Sequence, residues 1–513
     1  MESLAVKRKA VIAAAYVYLT LPICIYFVGW LKPVISVPMT LFFIYGTVVA
    51  VKNQSVQAIK TPAVTARQFI IFAMIIFLWV LMSGVGGFVW QNRYDHVLRN
   101  AVFQDLVHFD WPVVSDASSR TIAYYIGFWM PSALVGKAFG MEAGYFFQLL
   151  WALIGTGLAF CLMSYILGKF SCVTLLVFIF FSGLDIIPFL INVSNNGLPA
   201  YDAYSGFGIF YHLELQFTVF NSSSPTSMLY WMYNYAIPFW VGFLLLLMQK
   251  NNRCLVFTYS LLALFAPIPM VGALPAVVYI MLRNEGVTPK NFFQKFGALF
   301  KHQFNLQNIA GLLQVVIIEL FLATNNSARR IGMLPVNADS ILWFLYFFMV
   351  EFGLYLLWLY PAWRKNKLCI VLMCSTAVFS FVEMGGSYDF AWRTTAPFMF
   401  FLMLYLIRKL IQKPQTLKLP MKAAIILILL AGAVTPVFEI SRSVYNTAVI
   451  AAERQSPGTY AQGSHEYDIA QQPMRSDWIP SFVEIEEQSY IGVFDNFVGT
   501  DSQDKLFNRY LRK

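Results

Sequence analysis

Apolar blocks of roughly 16–25 residues recur along the whole chain, separated by short polar segments; that length carries a helix across ~30 Å of hydrocarbon. The blocks are rich in Leu, Ile, Phe, Ala and Val and lack strand-like alternation, so they predict a helical bundle and not a barrel. The pattern places spans at 11–31, 34–51, 68–90, 143–167, 171–192, 229–248, 254–267, 268–282, 308–325, 339–360, 368–383, 394–412 and 423–440. That is an all-α polytopic membrane protein with about thirteen crossings, eleven to fourteen if the ambiguous blocks are regrouped. The pair 254–267 and 268–282 is interrupted by Pro267, Pro269 and Pro275, which suits a hairpin of half-helices. Residues 121–139 are apolar enough to cross, but they are aromatic at one end and broken by Pro131. An interfacial or re-entrant helix is the expectation there.

Composition agrees with the pattern. Of 513 residues, 58% are hydrophobic and 12% charged, too few charges to solvate a water-soluble exterior of this size. The net charge of +10 does not point to nucleic acid, because the positive residues sit in short loops between apolar blocks. With the N-terminus inside, the inner segments carry 21 Lys and Arg, and the outer loops, the tail apart, carry 8. That asymmetry orients the chain with its N-terminus cytoplasmic and its C-terminus outside. The Lys7-Arg8-Lys9 cluster and following apolar run have no small-residue cleavage site before Trp30, so the run reads as a retained first helix. The six cysteines lie in or beside spans without metal-ligand spacing.

Three segments result: a two-helix extension at 1–67, a main bundle at 68–440, and an extracytoplasmic tail at 441–513 that is expected to pack over the outer loops. Four polar stretches fall on the outer face, in the loops 91–142, 193–228, 324–338 and 383–393. The first holds Asp95, His96, Arg99 and Asp105 on an amphipathic helical pattern, with Asp95 at the mouth of the bundle. The second holds Tyr211, His212 and Glu214 among aromatic and hydroxyl residues, a combination suited to sugars. The third holds Arg329 and Arg330, whose adjacent guanidiniums match phosphate oxygens or, equally, lipid headgroups or the acidic tail. In the fourth, Asp389 and Arg393 share a helical face, as a structural ion pair or as part of a site. Glu319 and Glu351 lie within spans, where they serve a proton or substrate path or bond a neighbouring helix. His212 and Glu214 lack a third partner for a metal.

The acid beyond an early span, the membrane-parallel helix after it, Trp111-Pro112 and the tyrosine-rich half-helix with Pro131 resemble the GT-C superfamily of multi-pass glycosyltransferases. More narrowly, the run from Asn92 to Pro112, Ser182-Gly183-Leu184-Asp185, His212-Leu213-Glu214 and Asp389-Phe390-x-x-Arg393 look like a bacterial branch of it, over most of residues 68–412. The resemblance implies a bacterial cytoplasmic-membrane enzyme that moves sugar from a polyprenyl-phosphate donor to a lipid, glycan or protein acceptor on the outer face. It assigns Asp95 as the general base that deprotonates the acceptor hydroxyl. Departure of the lipid phosphate requires positive charge or a divalent metal; by chemistry Arg329 and Arg330 are the first candidates and Arg393 the next. The chain departs from the superfamily in its two extra spans and in having His96 where a second acid would stand, so metal dependence stays open. Two other classes use the same features: a transporter or flippase for a lipid-linked glycan, and a polymerase or ligase in which arginines bind pyrophosphate. No repeat between the halves favours the transporter.

Overall fold

A computed structural model describes residues 3–4, 8–55, 62–197, 212–216, 219–327, 331–384, 388–412, 419–484 and 496–513. Tyr211, Arg329 and Arg330 lie outside the described residues. The chain is an all-α membrane protein: eight helices among the described residues are long and apolar enough to cross a bilayer, or nine if one sharply bent pair counts as a single span.

The first part of the bundle is α1 (Arg8–Trp30), α2 (Pro33–Ser55), α3 (Ala66–Met82), α4 (Asp95–His108), α5 (Met130–Phe139) and α6 (Met141–Leu167). Short strands β1 (Ser3–Leu4) and β2 (Val64–Thr65) pair beneath α3. The helix expected over 68–90 stops at Met82 because Gly84, Gly86 and Gly87 all take left-handed backbone angles. Residues 121–139 are not one helix. Ile122 ends a strand, a single 3₁₀ turn follows at Gly127–Trp129, and α5 is ten residues long, too short to cross. Gly136 of α5 and Gly144 of α6 face each other closely, which brings the two helices into an antiparallel hairpin. The extension is not peripheral: Tyr18 of α1 stacks on Trp151 of α6 and fills the notch left by Gly155.

Next come α7 (Cys172–Phe180), α8 (Ile186–Asn196), α9 (Pro225–Leu247), α10 (Leu255–Ser260) and α11 (Pro267–Asn284). The predicted span 171–192 is broken at Phe181–Asp185, where Leu184 N–H bonds the carbonyl of Val350 in another helix. In place of two half-helices over 254–282 there is a six-residue α10 followed by an eighteen-residue α11 that is long and apolar enough to cross a bilayer by itself.

The last part holds α12 (Phe292–Gln303), α13 (Leu306–Leu322), α14 (Ala338–Phe348), α15 (Leu354–Trp363), α16 (Lys367–Phe379), α17 (Asp389–Thr394), α18 (Ala396–Gln412), α19 (Leu419–Gly432), α20 (Val434–Gln455) and α21 (His465–Ala470). Helices α14 and α15 form one continuous span through a π turn at Met349–Gly353. Helix α20 runs straight through residue 441, so the start of the tail continues a membrane helix.

The polar loops meet at one end of the bundle. There β3 (Val114–Ser115), β4 (Arg120–Ile122) and β7 (Val498–Thr500) form a small antiparallel sheet, and β5 (Ile331–Met333) pairs with β6 (Val382–Met384). The tail closes over them. Asn326 N–H bonds Val498, Arg512 bridges to Leu31, and Arg475 makes a two-pronged ion pair with Glu142 at 2.7 and 2.9 Å. The opposite end gathers Lys52, Arg253, Arg283 and Lys295 with the amides of Asn53, Asn251 and Asn252.

Candidate active site

Helix α4 begins at Asp95 because the Asn92 side chain accepts the N–H groups of Asp95 and His96, at 2.8 and 3.3 Å. On the next turn Arg99, 2% exposed, reaches back to the Asp95 carboxylate at 3.1 Å and to its backbone carbonyl at 2.8 Å. Its Nε donates to Asn234 Oδ1 of α9 at 3.1 Å, so a guanidinium that would be costly to bury alone is neutralised and bonded. Asp95 keeps 21% of its side chain exposed at the mouth.

The backbone of α9 leaves helical geometry at Met232 (φ −139°, ψ 34°). Upstream, the Tyr230 carbonyl accepts from His96 Nε2 at 2.7 Å and from the Asn92 amide at 3.3 Å, side chains standing in at a helix break. His96 is wholly buried, and burial pushes its imidazole down to about 3, so it is neutral and ties α4 to α9. Asp105, on the inner side of α4, accepts the N–H groups of Phe482 and Val483 at 2.9 and 3.3 Å and so clamps the tail. Burial lifts its carboxyl to about 7, against the opposing pull of the Ser481 and backbone hydrogen bonds.

The fourth stretch enters from α17. Arg393 Nη2 is 2.5 Å from Asp389 Oδ2, and its Nη1 donates to the Tyr125 hydroxyl. The guanidinium also lies over the Tyr125 and Tyr235 rings, at 5.9 and 5.4 Å from their centroids. As in the first pair, the arginine is the more buried partner and the carboxylate the more exposed, 14% against 39%. Tyr124 donates to Tyr125, and burial raises its phenol well above the ordinary value. Both arginines act electrostatically on Tyr124 and on Tyr235, so the two Asp–Arg pairs flank one tyrosine cluster. A small pocket opens there, lined by Ser223, Met228, Met232, Tyr235, Trp392 and Arg393. A second shares Tyr235 and Arg393 and is also lined by Tyr125 and the first residues of α11, Pro267 to Pro269.

The described parts of all four stretches therefore meet. Trp392 Nε1 bonds the Val219 carbonyl at 2.9 Å, Thr395 bonds Ser222 Oγ at 3.2 Å, and Asn325 Nδ2 bonds the Ala123 carbonyl at 2.9 Å. Within this group Asp95, Arg99, Asp389 and Arg393 surround the tyrosines, whereas His96 and Asp105 are turned into packing.

His212 and Glu214 stand in a separate, fully buried cluster. His212 Nδ1 is 2.6 Å from Glu439 Oε1 and the ring stacks on Trp231. Glu439 also accepts from Trp231 Nε1 at 2.7 Å and pairs with Arg442. Glu214 accepts the Ser224 N–H at 2.9 Å, and burial together with nearby Asp185 raises its carboxyl. Sequence reasoning missed Glu439 and Arg442, assigned to the end of a span and the start of a tail. The signal available was their i, i+3 spacing within an apolar run.

A divalent metal would need at least three converging carboxylate, imidazole or thiolate ligands. Among the described residues no such group forms, and the exposed acids of the tyrosine site each face an arginine. No family model, curated protein or solved structure matches the chain.

Proposed function

We propose that the chain is a membrane glycosyltransferase that moves a sugar from a polyprenyl-phosphate donor to a lipid, glycan or protein acceptor. The observation that carries this reading is the pairing of two partly exposed aspartates with two arginines, each more buried than its partner, around the Tyr124–Tyr125–Tyr235 cluster. In this reading Asp95 takes the proton of the acceptor hydroxyl as the new glycosidic bond forms. Arg393, exchanging part of its contact with Asp389, receives the charge that develops on the departing lipid phosphate. Tyr235 and Trp392 present ring faces to the sugar beside Ser223. The excess of Lys and Arg in the segments at the opposite end supports placing the site on the outer face with the N-terminus inside, and the resemblance alone suggests a bacterial cytoplasmic membrane.

The test is consumption of polyprenyl-phosphate sugars by membranes containing the protein, beside Asp95→Asn and Asp95→Glu forms. Transfer by the wild type, loss of turnover in Asp95→Asn with donor binding retained, and partial recovery in Asp95→Glu are expected. Equal turnover in the wild type and Asp95→Asn, or none in either, removes Asp95 as the base and moves the transporter and ligase readings ahead.

A further inference from the structure

Deep in the bundle, Glu351 stands where the hydrogen-bond accounting fails. It is 1% exposed, and among the described residues neither carboxylate oxygen has a donor. It sits on the π turn of the α14–α15 span, against the break between α7 and α8, so close that a Cβ on Gly183 would fall 2.1 Å from Glu351 Oε2. A π turn in one helix opposite a break in another is a costly arrangement that recurs at functional positions.

The group within hydrogen-bonding reach of Glu351 is Asp185, another acid. Asp185 Oδ2 is satisfied by Ser182 Oγ at 3.1 Å and Thr435 Oγ1 at 2.9 Å, while its Oδ1 has no donor among the described residues. The remaining polar groups from the elements packed here have other partners. Tyr355, one turn further on, donates to the Ser182 carbonyl at 2.9 Å. Glu214 takes the Ser224 N–H, and Glu439 takes His212, Trp231 and Arg442. Two acids thus face each other with acceptor atoms only, next to a third in Glu214, and two adjacent carboxylates in an apolar interior cannot both stay ionised.

We propose that Glu351 and Asp185 form a proton-binding site, one proton being shared between Glu351 and Asp185 Oδ1 inside the membrane. The proton supplies the donor that both side chains lack and removes one of the two charges. The inference is independent of the transferase reading, since it uses none of the residues around the tyrosine cluster.

The test is infrared difference spectroscopy of the full chain in lipid nanodiscs, following the carbonyl stretch of a protonated carboxylic acid through a pH titration. A band present at neutral pH, insensitive to sodium and lost in Glu351→Gln, is expected. Asp185→Asn replaces the acid that shares the proton with an amide, while burial keeps Glu351 neutral, so the band remains there but shifts in frequency. Absence of the band in the wild type at neutral pH overturns the proposal. So does its survival unchanged in whichever of the two variants assembles. A band that added sodium titrates away overturns it in favour of a metal-cation site.

Discussion

Asp105 links α4 to the tail through a group that titrates, which makes tail docking pH-dependent with a defined sign. Its carboxyl is held near 7 in the folded chain against an ordinary 3.8, because burial outweighs the hydrogen bonds from Ser481, Phe482 and Val483. At ~1.4 kcal/mol per unit, that difference corresponds to about 4 kcal/mol between docked and undocked tail. The folded value lies above the solvated one, so the docked state holds the extra proton between about pH 4 and pH 7. Docking is accordingly strongest at the acid end of that window, weakens by roughly tenfold per pH unit as pH rises, and levels off above the folded value. Hydrogen exchange at the Phe482 and Val483 amides, divided by the intrinsic rate at each pH, reads this opening directly. Asp105→Asn keeps an oxygen for the two amides but cannot titrate, so its corrected protection should be flat across the window. Protection in the wild type that ignores pH, or a slope that survives in Asp105→Asn, would refute the reasoning.

Arg393→Lys keeps the charge but loses the fork that reaches Asp389 and Tyr125 together; donor KM should rise by roughly 10–100-fold, with a smaller change in kcat. A KM that does not move places the phosphate elsewhere. Arg442→Met leaves the buried Glu439 with less compensation and should cost about 3–5 kcal/mol in unfolding measured in detergent, with the Arg442→Met/Glu439→Gln double change recovering part of it. Additive losses in the double variant would show that the pair does not act as a unit. Gly183→Ala drives a methyl into Glu351 and should destabilise by about 1–3 kcal/mol, whereas Gly157→Ala, with no described residue within 4 Å of the added methyl, should be neutral to slightly stabilising in the same thermal melt.

The apolar blocks by themselves determined that this is a helical membrane protein, because transfer into hydrocarbon is a local property summed over some twenty neighbouring residues. The same pattern grouped the loops 91–142, 193–228, 324–338 and 383–393 at one end, since short connections between spans leave each loop only two ends to occupy. It identified Asp95, Arg99, Asp389 and Arg393 as polar positions there, and i, i+4 spacing anticipated the Asp389–Arg393 pair; that Asp95 and Arg99 also pair came from the structure. Only the tertiary structure decided how spans are interrupted: hydropathy reads 171–192 as one apolar block, while the break at Phe181–Asp185 is held by Val350 and Thr435 from distant helices. It also decided which polar residues face the pocket and which lock the packing. His96 and Asp95 are adjacent in sequence, yet one is wholly buried under Tyr230 and the other stands at the mouth. The partners of Asp105 and His212 lie 377 and 227 residues away. Hydrogen bonding acts over about 3 Å of space whatever the separation along the chain, so a buried acid's role is settled by what folding brings beside it.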